Sequence, residues 1–193
     1  AIVGDSYHSF EQIIDLCLSL NVSAVGAGDL IDKTTNRSGP IVFAHNQIGR
    51  LRESGLSFFY VQGQHEFADP PWLSGAPGAV HLHRQLHNIG GLNFYGIDYQ
   101  SAENLKIELA VVPPAVDVLV MHETFAEYMG EHIVTQGCFA DLPSPRLLLT
   151  GDYHVPSTMT VKGADRREFV ALSPGATCMQ SISEPPDKYA WVL

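Results

Sequence analysis

The residues of this chain that could do chemistry recur in one local form: an apolar run, a glycine, an aspartate, and then a histidine or a second aspartate. Residues 146–157, RLLLTGDYHVPS, set Asp152 and His154 two apart at the end of an apolar run. AIVGDSYHS places Asp5 and His8 three apart after an apolar run, and SAVGAGDLID does so for Asp29 and Asp32. GQHE adds Gln64 and His65, and MHE adds His122. These are oxygen and nitrogen donors without sulfur, a mixed set that suits Mn²⁺, Fe²⁺, Zn²⁺ or Ni²⁺. Glycine before an aspartate lets the backbone turn sharply and come close to an ion. One carboxylate can bridge two cations, and two cations roughly 3.5–4 Å apart can clamp a phosphate and activate a water for in-line attack.

Groups this far apart in sequence act together only if regular elements carry them to one place. AIVG reads as a short strand, and Ser9 as the cap of a helix from Phe10 to about Leu20, with Ile13, Ile14, Cys17 and Leu20 on one stripe. VSAVGAG is a second strand, followed by a helix over about Ile41 to Glu53 that closes near Gly55. LSFFYVQG is a third strand, EFADPPWLSGAPG a loop, and AVHLH and LNFYGIDY short strands joined across NIGG. NLKIELAVV is expected to be helical up to Pro113; VDVLVMH and RLLLTGD are buried strands, and EFVALSPG and KYAWVL closing strands. Early alternation of strand and helix, then a strand-rich half, predicts an α/β sandwich with mixed sheets. Ligands of such sheets bind beyond the carboxyl ends of strands, so Asp5, Asp29, His65, His122, Asp152 and His154 are expected on one rim. Without repeats, low-complexity tracts or a linker, residues 1–193 read as one domain.

In this order the motifs resemble those of the calcineurin-like metallophosphoesterases: Asp-x-His, Gly-Asp-x-x-Asp, Gly-Asn-His-Glu/Asp, a histidine after an apolar strand, and Gly-His-x-His. The resemblance runs from Asp5 to His154, and SPGAT at 173–177 is similar to the Asn-Pro-Gly-Ser turn that often follows. It implies a four-layer αββα sandwich with two mixed β-sheets and a two-metal site. Asp29 would bridge the ions; Asp5, His154 and a residue near His8 would complete one, and Gln64, His122 and Asp152 the other. His65 would contact the phosphate and protonate the leaving oxygen, and Asp32 would orient a neighbour.

Three positions depart from the family pattern. A direct alignment of DSYH puts Tyr7 in the histidine slot, but neutral tyrosine is a poor ligand, which favours His8. Gln64 replaces asparagine with the same carbonyl on a longer side chain, and Asp152 replaces the first histidine of Gly-His-x-His. Asp5, Asp29 and Asp152 together would leave a pair of divalent ions with a net positive charge to meet a phosphate. The added hard oxygen tilts preference toward Mn²⁺ or Mg²⁺ over Zn²⁺; Mn²⁺ is expected foremost, with Mg²⁺, Fe²⁺ or Zn²⁺ as alternatives.

Composition narrows the classes. A net charge of −10 argues against a broad basic grip on nucleic acid, though bound cations could supply positive charge locally. Three scattered cysteines without a CxxC pair argue against a disulfide framework or cysteine zinc site and for a reducing compartment. No apolar run reaches the ~20 residues of a membrane helix and no signal peptide is visible, so a cytoplasmic protein without membrane contact is expected. His45, His81, His83, His87 and His132 match no motif, and HLHRQLH reads as an exposed strand with solvated side chains rather than a metal tract. Trp72, just after His65, could wall the site or simply pack its loop.

Protein phosphatases of the family continue Gly-Asp-x-x-Asp with Arg-Gly; here Lys33 and Thr34 follow, which disfavours that branch. The chain looks more like SbcD-like exonuclease subunits, including phage-type ones. That resemblance implies DNA as substrate, an SbcC-like ATPase partner and pairing into a homodimer. A small-molecule phosphodiesterase or phosphatase is the alternative that the acidic charge favours. A catalytically impaired binding subunit is the alternative that the Tyr7, Gln64 and Asp152 departures motivate.

Overall fold

Alternation of side chains along the strands sorts the buried apolar residues into three clusters, and three clusters between stacked elements mean four layers. The computed structural model describes residues 5–32, 38–126, 139–177 and 190–193, and of Asp5 and Phe139 the backbone alone. Two helices, α1 (Asp5–Leu20) and α2 (Ser38–Glu53), pack together over a parallel sheet of β1 (Ala24–Gly26), β2 (Phe58–Tyr60) and β3 (Ala79–His81). A second, mixed sheet follows the order β4 (Leu86–Ile89), β5 (Leu92–Ile97), β6 (Val118–His122), β7 (Leu147–Gly151), β9 (Glu168–Ser173), β8 (Ser157–Lys162). Its strands β5, β6, β7 and β9 run parallel, with β4 and β8 antiparallel at the edges. Helix α3 (Ala102–Ala110), capped by the Ser101 hydroxyl, covers the outer face of this sheet.

The parity is consistent from strand to strand. Phe58 and Tyr60 of β2 join Phe10, Ile14 and Cys17 of α1 and Ile48 and Leu51 of α2 in the first cluster. Phe59, one residue out of phase, faces the other way and meets Phe94, Val118, Val120, Leu149 and Leu172 between the sheets. Tyr95, Leu119, Met121 and Leu148, again out of phase, pack under Leu105 of α3. The structure is therefore a mixed α/β sandwich with two sheets, and the residues nearest the site stand on its middle interface. Among the described residues, no helix is long and apolar enough to cross a membrane.

Several local expectations need correction. Helix α1 begins at Asp5, so Ser9 lies inside it rather than capping it. The first turn carries exposed polar residues, which conceal it from an apolar-stripe reading, and it is held because the Tyr7 ring packs on Phe43 of α2 at 4.6 Å. Leu20 leaves the expected stripe and is exposed. The AVHLH strand stops at His81; β4 instead takes up residues assigned to the NIGG connection, leaving Gly90–Gly91 as the turn. Strand β8 was not anticipated, and residues 190–193 carry no strand. The expected AIVG strand lies outside the described residues.

Candidate metal centre

Parallel strands end on the same side, and four of those ends meet at one rim across the two sheets. Beyond β1 the chain turns at Gly28 (φ 91°) into Asp29 (φ 55°); β6 ends on His122; beyond β7, Asp152 follows Gly151 at φ 70°. Left-handed backbone costs a non-glycine residue roughly 1–2 kcal/mol, and both carboxylates adopt it. Glycine is required around them by close approach. A Cβ on Gly63 would lie 2.0 Å from Asp29 Oδ1, and one on Gly151 would lie 2.0 Å from the Ala27 carbonyl and 2.6 Å from His122 Nδ1.

His122 is the buried centre, with 2% exposure. Its Nδ1 lies 2.6 Å from the Ala27 carbonyl, which can only accept, so Nδ1 carries the proton. That leaves Nε2 for the site, 3.1 Å from Asp29 Oδ2 and 3.7 Å from Asp152 Oδ1. Neither contact has hydrogen-bond alignment, and Nε2 is a buried nitrogen without a hydrogen-bond partner among the described residues. Asp152 is fixed from both sides: Gln64 Nε2 donates to Oδ1 at 2.7 Å and the Thr124 hydroxyl to Oδ2 at 2.5 Å. The Gln64 amide is thereby oriented, and its Oε1 is buried and has no hydrogen-bond partner among the described residues. The His65 N–H donates to Asp29 Oδ1 at 2.9 Å, while the His65 side chain is exposed.

One ligand atom from each of Asp29, His122 and Asp152 lies within 4.8 Å of the other two. Two carboxylates and a lone-pair nitrogen facing one point, with a carbonyl oxygen unpartnered nearby, suit a divalent cation of the harder kind. Electrostatics agree. Burial works against the imidazolium of His122, but Asp29 and then Asp152 hold its pKa above the ordinary value. Burial likewise opposes the Asp29 carboxylate, yet His122 and the His65 N–H hold its pKa below the usual range. Two further carboxyls flank the centre: burial pushes Glu66 up to about 7 and, with the Asp152 charge, Glu123 up to about 8. Glu66 accepts from the N–H groups of Ile31 and Gly63, joining the loop after Asp29 to the loop carrying Gln64.

Of the residues singled out from sequence, the structure brings together Asp29, His122, Asp152, Gln64 and the backbone of His65. His154 is exposed and is not part of the three-residue ligand group; its carbonyl accepts from Ala176 N of the SPGAT turn. His8 lies on the exposed first half of α1, and Tyr7 is engaged with Phe43. The Asp5 side chain lies outside the described residues, and Asp32 is exposed. Trp72 packs against the helix-side cluster, and its carbonyl lies 2.8 Å from His45 Nε2. The expectation of solvated histidines in HLHRQLH is overturned for two of them: His81 and His83 are partly buried and turn toward the buried Asp98. Sequence reading missed Thr124, Glu123 and the Ala27 carbonyl. Thr124 and Glu123 adjoin His122 and could have been suspected; nothing local marks the carbonyl or Asp98.

No family model matches the chain. Over 168 residues it is 28% identical to the DNA double-strand break repair protein Mre11 of Haloferax volcanii, covering 82% of this chain and 38% of that protein. Over 154 residues it is 24% identical to the Mre11 protein of Sulfolobus acidocaldarius, covering 72% of this chain and 40% of that protein. The chain thus spans about two fifths of the length of these relatives.

Proposed function

We propose that the chain is a metal-dependent phosphodiester hydrolase acting on DNA, an exonuclease of the SbcD-like type. The observation that carries this reading is the convergence of Asp29, His122 and Asp152 around the unpartnered Nε2 of His122. Similarity to two DNA repair proteins supports DNA as the substrate class. In this reading Asp29, Gln64, His122 and Asp152 hold one ion. Asp29 would also serve a second ion, for which Asp5, His8 and His154 would be the further ligands. When bound, two divalent cations, Mn²⁺ foremost, supply an acidified water and positive charge against the phosphate. The protein's own part is orientation and proton transfer. Thr124 and Gln64 lock Asp152, the Ala27 carbonyl locks the His122 ring, and the exposed imidazole of His65, anchored by its N–H on Asp29, gives a proton to the departing oxygen. The water oxygen bonds to phosphorus as the ester P–O bond breaks. An SbcC-like ATPase partner, a homodimer and action in the cytoplasm belong to the same reading, as does one catalytic domain spanning residues 1–193.

The test is metal-stripped protein given Mn²⁺, Mg²⁺ or Zn²⁺ and offered linear single- and double-stranded DNA beside a chromogenic phosphodiester. Release of nucleotides from DNA ends with Mn²⁺, lost in His65→Ala, is the expected result. Cleavage of the small diester with DNA left intact would instead favour a small-molecule phosphodiesterase, to which the net charge of −10 points. Restoration by Zn²⁺ but not by Mn²⁺ would overturn the preferred metal.

A further inference from the structure

A second polar knot lies at the same rim, outside the ligand group. Asp98 follows β5 of the mixed sheet and is 3% exposed. Its carboxylate accepts from the Gln62 N–H at 2.7 Å and the Gln62 amide at 3.3 Å, and His81 Nε2 lies 2.9 Å from both oxygens. Tyr99 N–H donates back to the Gln62 carbonyl at 2.8 Å. The remaining atom of the Gln62 side chain, Oε1, accepts from Ala68 N–H at 3.0 Å. All four polar groups of Gln62 are thus engaged, and its side chain ties together the two ends of the 62–68 loop, inside which stand Gln64 and His65. His81, the other partner, is stacked on Tyr60 at 4.9 Å and tilted 14° from parallel, so its ring is not free to swing away. A buried carboxylate from one sheet therefore holds a loop borne by the other.

We propose that Asp98, braced by His81, is a positioning residue: through Gln62 it holds the 62–68 loop so that the Gln64 amide stays on Asp152 and the His65 imidazole meets the substrate in register. The proposal rests on the hydrolase reading for its effect on turnover, but its effect on the loop does not. The experiment compares Asp98→Asn with the wild type by amide hydrogen exchange of the metal-free proteins, by Mn²⁺ calorimetry, and by kcat and KM on DNA. The expected result is exchange across residues 62–68 about tenfold faster, with β7 unchanged. Turnover should fall about 10²-fold with KM altered only a few-fold, because misplacement near the chemistry costs rate. Mn²⁺ affinity should fall less than kcat, since His122 and the Thr124 bond to Asp152 lie outside the loop and only the contributions of Gln64 and the His65 N–H are loosened. Unchanged exchange in the loop would overturn the proposal, and so would acceleration spread equally over β7 and α1, which marks a merely structural role. If the wild type does not cleave DNA, the hydrolase reading falls and the exchange pattern still decides the positioning role. If Asp98→Asn does not fold, His81→Ala is the milder variant; it must loosen the same loop, and failure to do so overturns the proposal.

Discussion

Asp29 and Asp152 hold a left-handed backbone beside each other, and that arrangement opposes folding when no cation is present. The strain of two such residues is the opposing part, whereas His122 and the His65 N–H stabilise the Asp29 charge. Asparagine tolerates the conformation and removes one charge. Asp152→Asn, which leaves one acceptor oxygen for the two donors Gln64 and Thr124, is expected to change metal-free stability by no more than ~1 kcal/mol while weakening Mn²⁺ binding by roughly 10–100-fold or more, measured by denaturation and calorimetry. A loss of stability without loss of affinity would place Asp152 outside the centre. Acid–base linkage gives a second residue-scale test. Glu66 and Glu123 have folded pKa values raised from 4.5 to about 7 and about 8. For a raised acid, the stabilising contribution is complete below the unfolded value and is lost as pH rises through the folded one. His122, also raised, has the same sign. Metal-free protein should thus lose stability between about pH 5 and pH 8 in urea titrations, and Glu66→Gln should flatten part of that slope. A rise in stability over the same window would contradict the buried, neutral state of these carboxyls.

At the scale of elements, glycine has opposite meanings in a helix and between sheets. Gly49 stands inside α2, and a Cβ there would meet nothing within 4 Å. Gly49→Ala should raise stability by about 0.5–1 kcal/mol through helix propensity alone. Gly151, at the end of β7, pairs with His122 in β6, and its missing Cβ is what lets the Ala27 carbonyl approach the imidazole. Gly151→Ala should cost about 1–3 kcal/mol by overpacking and lower Mn²⁺ affinity as the two sheets separate at the rim. Thermal melts of the two variants, run together, should move in opposite directions. Equal shifts would mean that the sheets are not in close contact at this point.

For the whole molecule, three apolar clusters lie between the layers and the candidate ligands gather at one rim. Leu119 and Leu148, fully buried under α3, face away from the rim. Leu148→Ala should cost about 2–5 kcal/mol while leaving Mn²⁺ affinity unchanged at temperatures where the variant is folded. Conversely, Mn²⁺ at a hundred times its dissociation constant should stabilise the wild type by ~2.7 kcal/mol. That gain should vanish in Asp29→Asn. An equal thermal shift in the two proteins would show that the ion binds elsewhere.

Features written in neighbouring residues were legible before any packing was known. Apolar runs marked β2, β5, β6, β7 and β9, the stripe of Ile14 and Cys17 marked α1, and glycine before aspartate marked the turns at Asp29 and Asp152. His122 was legible because it closes a five-residue apolar strand. Which of these groups face one another follows from the packing of the two sheets. It set Asp29, His122 and Asp152 on one point, left His8 and His154 outside that group, drew Gln64 onto Asp152 through the amide, and turned His81 and His83 from an apparently solvated strand onto Asp98. The reason is physical: strand and helix periodicity arise from local backbone geometry, whereas the docking of two sheets depends on Cβ atoms that are absent, carbonyls that bear no side-chain label, and partners some 15–95 residues apart.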